Sequence, residues 1–205
     1  MEIVKKYLPV LVAALVGGVV GAFVVGGFGG STSSPQATPA GFSFKGGAPP
    51  AGGGEADCKT TDVKMTIVGD SLAGIVKNGE QVKVIKNYYA CKDVQRGDIV
   101  VYGYAGGTQP LAKVIKAIPG DKFELKKSGQ GWNILVNGSP AKNSQGQAYL
   151  LSEQPYRLLS LYAKDYGGAV PGGAYLIMGD EVGGSLDSSR FGLVDKSDFL
   201  GKVVK

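Results

Sequence analysis

The chain has 205 residues, a formal net charge of +5, two cysteines and no histidine. Without histidine there is no Ser-His-Asp or Cys-His catalysis and no imidazole zinc site, and two cysteines cannot make a four-cysteine one, so a nucleophile here needs another base, with lysine the candidate. The basic residues are scattered rather than gathered into a patch, which argues against a nucleic-acid partner.

Residues 1–7 carry Lys5 and Lys6 and read as a short cytoplasmic N-terminus. Residues 8–28 are apolar and uncharged. At about 1.5 Å per residue they match a bilayer core of roughly 30 Å. With lysines before the segment and no positive charge after it until Lys45, the positive-inside rule places the N-terminus in the cytoplasm and the remainder outside. A cleaved secretory signal is the rival reading. The stretch is longer than the usual apolar region of about 7–15 residues, so a retained single-pass anchor in the cytoplasmic membrane is expected. Residues 29–57 are rich in Gly, Ser, Pro and Ala. Such a segment buries too little apolar surface to offset its ordering entropy, and it reads as a flexible linker.

Residues 58–205 read as one extracytoplasmic domain, mainly β. Short runs rich in Val, Ile, Leu and Tyr fall at 63–68, 81–85, 98–104, 111–117, 122–125, 133–136 and 174–178. Turn signals separate them, among them Asn78-Gly79, Arg96-Gly97-Asp98, Pro119-Gly120-Asp121, Asn137-Gly138 and Pro171-Gly172-Gly173. This punctuation predicts an antiparallel sheet or barrel rather than βαβ units. Residues 139–170 show weaker patterning and read as an excursion from the main sheets. Cys58 and Cys91 lie where disulfides persist. A bridge and two unpaired thiols both remain open at this point.

Four stretches in order carry a resemblance. The first is VGDSLAGIVKNGEQV at 68–82, with Ser71-Leu72 and Gly79-Glu80. The second is VQRGDIVVY at 94–102, and the third is LAKVIKAIPGDKFEL at 111–125. The fourth is VPGGAYLIMGDEVGGSLDSSRFGLV at 170–194. Together they resemble the boxes of the bacterial signal peptidase I (leader peptidase) family, whose members are Ser/Lys-dyad peptidases. The resemblance covers about residues 63 to 204. Counting back from Pro119-Gly120-Asp121 sets Lys113, not Lys116, on the family's catalytic lysine. Strand alternation agrees, since positions 113 and 116 face opposite sides of a sheet.

The resemblance implies a signal-peptidase-like β domain behind one transmembrane helix, with Ser71 as nucleophile and Lys113 as general base. Leu111, Ala112, Val114 and Ile115 surround Lys113 in sequence. An apolar setting disfavours the charged amine and lowers its pKa, as a base requires. Ser185 is expected to hydrogen-bond the lysine amine, with Asp187, Arg190, Gly179 and Asp180 in support. The Ser71 N–H and the Gly69 region are expected to form the oxyanion hole. Met65, Thr66, Ile67, Val68, Gly69, Leu72, Pro110, Leu111 and Ala112 are expected to receive an extended substrate by strand addition. The implied partners are the signal peptides of secreted preproteins and the lipid bilayer. No metal or cofactor is implied, and a monomer is expected.

The chain departs from the family pattern at several places. Gly69 stands where some members have a serine, Gly74 where they have proline, and Glu181 where they have asparagine. Arg190 comes one place later than the family arginine, so an Asp187–Arg190 ion pair of altered geometry is expected. Three rivals follow: a narrow-substrate peptidase of the conjugative pilin-maturation type, an inactive membrane-tethered binding homologue, and a self-cleaving repressor-type protease.

Overall fold

The computed structural model describes residues 58–205. The expected anchor at 8–28 and linker at 29–57 lie outside the described residues. Among the described residues, no helix is long and apolar enough to cross a membrane.

The chain runs β1 (Thr61–Thr66), β2 (Gln81–Lys86), α1 (Tyr88–Cys91), β3 (Ile99–Tyr102) and β4 (Leu111–Ala117). It continues through β5 (Phe123–Ser128), β6 (Gly131–Val136), β7 (Ser139–Pro140), β8 (Leu150–Leu151) and α2 (Glu153–Asp165). It ends with β9 (Ala174–Met178), α3 (Ser188–Phe191), β10 (Val194–Asp195) and β11 (Phe199–Val204). Two antiparallel sheets result. The larger has the order β1-β2-β11-β3-β4-β9-β10, and the smaller joins β5, β6 and β7 with β8 paired to β6.

Side-chain alternation makes the outer strands. In β2, Val82 and Val84 are buried while Gln81, Lys83 and Lys86 are exposed. β9, which lies between β4 and the edge strand β10, is buried at all five positions, as expected of a strand covered on both faces. Asn137 and Gly138 both hold positive φ, 52° and 79°, the conformation of a tight two-residue hairpin turn. They join β6 to β7. The two Gly-Asp turns flagged in the sequence also meet. Arg96 donates to both carboxylate oxygens of Asp121 at 2.7 Å, and the 96–98 turn is thereby fixed to the far end of β4.

Several elements differ from the sequence expectation. β1 ends at Thr66, and Val68 lies beyond it, 87% exposed. The reason is that the Ile67 N–H donates to the Glu80 carbonyl and its own carbonyl accepts from Gly79, which closes a loop. β3 stops at Tyr102, because the Gly103 N–H donates to Asp198 rather than along a ladder. The excursion at 139–170 contains α2, which packs Leu159 into the core with Phe123, Ile134 and Tyr149. The last strand, β11, inserts between β2 and β3. Cys58 and Cys91 are joined as a disulfide with a Cα–Cα distance of 5.3 Å.

Candidate active site

Ser71 opens a single helical turn after β1. The Ala73 N–H donates to the Asp70 carbonyl, and those of Ile75 and Val76 donate to the Leu72 carbonyl. Leu72 and Val76, one turn apart, share a face and are each 1% exposed. Burying this face fixes the turn and leaves Ser71 at the surface of the cleft, half-buried.

Lys113 lies in β4, between β3 and β9. It is 2% exposed, and its Nζ is 2.7 Å from Ser71 Oγ. Burial pushes the amine below its ordinary value, while the charges of Asp187 and Glu181 pull it back up. The net direction is down, because desolvation penalises the ammonium form. Lys116 sits where the β4–β9 ladder shifts register. Its Nζ donates to the Lys142 carbonyl at 2.8 Å and lies over the Tyr149 ring.

The wall behind the pair is built from β9 and the segment that follows it. Gly179 has no room for a side chain: a Cβ there would overlap Ser185 Oγ and stand 2.9 Å from the Ser71 carbonyl. The Asp180 N–H donates to that carbonyl at 2.6 Å. Asp187 is fully buried and accepts from the Gly179 N–H at 2.8 Å and the Ser185 hydroxyl at 2.6 Å through Oδ2. Its Oδ1 accepts from the Ser189 N–H at 2.9 Å.

Two expectations are corrected here. Ser185 makes no hydrogen bond to Lys113: its hydroxyl donates to Asp187 Oδ2, and the Lys113 amine reaches Ser71 Oγ instead. The Asp187–Arg190 ion pair does not form. The extra residue before Arg190 puts its side chain in solvent at the end of α3, and Asp187 is satisfied by neutral donors instead.

The Ser71 N–H donates to no group among the described residues, whereas the Gly69 N–H is already spent on Asn78 Oδ1 at 3.1 Å. Gly69 holds φ +88°, a conformation that side chains rarely adopt. Met65 and Pro110 line one groove of about 330 Å³ with Val63, Val84 and Val101. β1 is paired on one side only, and β9 pairs with β4 from Val114 onward, so Pro110, Leu111 and Ala112 also present an open edge. Thr66 is exposed and Ile67 is buried. Leu72 points into the core, and its side chain is closed to a substrate.

The sequence reading missed the partners of Asp180. The Ser144 N–H and hydroxyl donate to the two Asp180 carboxylate oxygens at 2.7 and 2.6 Å, and Asn143 Nδ2 donates to the Asp180 carbonyl at 3.0 Å. Tyr149 donates its hydroxyl to the Gly179 carbonyl at 2.6 Å. These residues lie in the weakly patterned excursion and carry no local motif that would have identified them.

The signal peptidase, peptidase S26, family matches the chain over residues 61–205. Signal peptidase IB of Staphylococcus aureus (strain Mu50) is 32% identical over 145 residues, covering 67% of this chain and 73% of that protein. Signal peptidase I U of Bacillus subtilis (strain 168) is 27% identical over 138 residues, covering 66% and 70%. A crystal structure of a signal peptidase I from Enterococcus faecalis V583 is 23% identical with a TM-score of 0.41, covering 56% of this chain and 98% of that one.

Proposed function

The chain belongs to the signal peptidase, peptidase S26, family of serine endopeptidases, and from that premise we propose that Ser71 and Lys113 form its catalytic dyad and that a membrane anchor holds it where preproteins emerge. The observation that carries the dyad is the 2.7 Å separation of Lys113 Nζ and Ser71 Oγ, with Lys113 almost wholly buried.

The neutral amine accepts the Ser71 proton as Oγ attacks the scissile carbonyl carbon. The Ser71 N–H, without an acceptor among the described residues, donates to the developing oxyanion. The Lys113 ammonium then passes the proton to the leaving amine, and an ester to Ser71 remains. Lys113 next takes a proton from water, whose oxygen attacks the ester. Collapse releases the new carboxyl terminus and returns the proton to Ser71. Asp187, Ser185 and Gly179 hold the wall against which the amine packs.

The substrate is the cleavage region of a secreted preprotein. It lies extended along the open edges at residues 65–69 and 110–112, with small side chains before the cut. The anchor assigned to residues 8–28 is part of the same proposal. No observation favours an inactive homologue, since the amine is within hydrogen-bond reach of the hydroxyl.

The test is cleavage of a preprotein with a small-x-small site. Ser71→Ala and Lys113→Met should each lower the rate by at least about 10²–10⁴-fold, the usual worth of a positioned base. Activity surviving near the wild-type level in either variant refutes the dyad.

A further inference from the structure

Away from the dyad, one buried polar group has nothing to bond. Ser189 is 3% exposed, and its Oγ has no hydrogen-bond partner among the described residues. Its neighbours differ: Ser188 Oγ accepts from the Ile177 N–H, and both Asp187 oxygens are occupied. Buried hydroxyls are nearly always paired, so an orphan marks a place where a bonding partner belongs.

Ser189 lines a cavity of about 110 Å³ together with Ser152, Gln154, Met178, Gly184 and Arg190. Gly184, at φ +102°, leaves the approach to Ser189 Oγ clear, since even a Cβ there would stand 3.8 Å away. The α2 helix begins at this cavity. It is 13 residues long, and its N-cap Ser152 makes no side-chain capping bond. The N–H groups of Glu153 and Gln154 have no acceptor among the described residues, as the first turn of a helix dictates. The partial positive charge of the helix start adds to the Arg190 guanidinium, which makes no ion pair among the described residues. The nearest acid in that turn, Glu153, is committed to Arg157 at 2.9 Å.

We propose that this cavity binds a phosphate group, through the Ser189 hydroxyl, the Gln154 N–H and the Arg190 guanidinium, all three residues lining it. Hydroxyl, amide and guanidinium donors from separate elements, α2 and α3, suit an anion with several oxygens. Residues 187–190 place Arg190 one position later than the family pattern, and the side chain is thereby released from Asp187 and free to serve this site. The inference does not depend on the dyad assignment. The phosphate has two possible sources, a soluble phosphate and a lipid headgroup.

The test is NMR titration of the ¹⁵N-labelled full chain in a non-ionic detergent with inorganic phosphate at constant ionic strength. The expected result is saturable shifts of the Gln154, Ser189 and Arg190 amide signals. Arg190→Gln should weaken the affinity at least tenfold and Ser189→Ala severalfold. If Arg190→Gln does not fold, Ser189→Ala alone decides. Equal shifts with chloride, or unchanged affinity in the folded variants, overturn the proposal. Vesicles containing phosphatidic acid distinguish the sources. Displacement of bound phosphate by them in wild type and not in Arg190→Gln supports the lipid headgroup, and saturation by inorganic phosphate unaffected by the vesicles supports the soluble ion.

Discussion

Lys113 is subject to opposed influences. Burial lowers its pKa, and the carboxylates of Asp187 and Glu181 raise it. In the proposed mechanism the base works only when neutral. The cleavage rate should therefore fall as pH drops through the pKa of Lys113, and this limb lies below the ordinary lysine value of 10.5. Glu181 is exposed, so its charge can be removed without disturbing the core. Glu181→Gln takes away a charge that favours the ammonium form. Its acid limb should move to lower pH, in the direction of a stronger shift by burial. A pH profile of kcat/KM that moves upward, or stays in place, contradicts this placement of the two charges. The same burial has a sign for stability. Lys113 binds fewer protons folded than unfolded between its lowered pKa and 10.5, so stability rises with pH across that window. At this scale the sequence was informative through motif spacing, which singled out Lys113, whose amine stands 2.7 Å from Ser71 Oγ, more than through strand period, since the β4–β9 ladder shifts register between Ile115 and Ala117. It was silent where bonds cross the fold. That Ser185 serves Asp187 rather than the amine follows from how β9 meets the 185–187 turn, and no spacing in the chain encodes it.

The turn that carries Ser71 depends on another segment for its shape. A Cβ on Gly74 would overlap Asp180 Oδ2 and stand 2.5 Å from Ser144 Oγ. Those two atoms are bonded to each other, so neither moves without breaking the contact that also orients Asp180 toward the Ser71 carbonyl. Gly74→Ala should therefore displace the turn rather than merely crowd it. We expect a loss of roughly 1–3 kcal/mol in stability, the usual cost of overpacking, and a kcat reduced more than KM is raised. Urea unfolding and steady-state cleavage check both, and a variant with wild-type stability and kcat would contradict the close contact. At the element scale, β4 and β9 were legible to the residue: β9 is a continuous apolar run buried at every position, and β4 is an apolar run broken only by its two lysines and closed by the Pro119-Gly120-Asp121 turn. The α2 helix was not. It buries only Leu159 fully, and a helix half covered by the core leaves a diluted apolar pattern. The loop that supplies Asn143 and Ser144 has no apolar pattern, since its polar groups bond Asp180 and one another.

The order of the strands was the least legible feature, because it is set by which edges meet after collapse. The last strand, β11, fills the gap between β2 and β3, with Lys202 opposite both Ile85 and Val100. Its Nζ also pairs with the buried Asp98 at 2.7 Å. The C-terminal end of the domain is thus held at the centre of the larger sheet. The N-terminal end has no such support, since β1 lies at the sheet edge and pairs only with β2. Its start is fastened by the Cys58–Cys91 bridge, which ties the residues before β1 to α1 across a separation of 33 residues, beside a bond from Asn87 Nδ2 to the Lys59 carbonyl. Closing a loop of that length restricts the unfolded chain by about 3–4 kcal/mol on the entropy model. Replacing both cysteines by serine should lower the unfolding free energy by about that amount. It should also speed amide exchange in β1 more than in β11, since the bridge fastens the start of β1. Because β1 leads into residues 65–69, the proposed substrate edge, the variant should bind preprotein more weakly while kcat at saturation changes little. A uniform rise in exchange across both strands would mean that the bridge stabilises the domain as a whole and does not specifically fasten its edge.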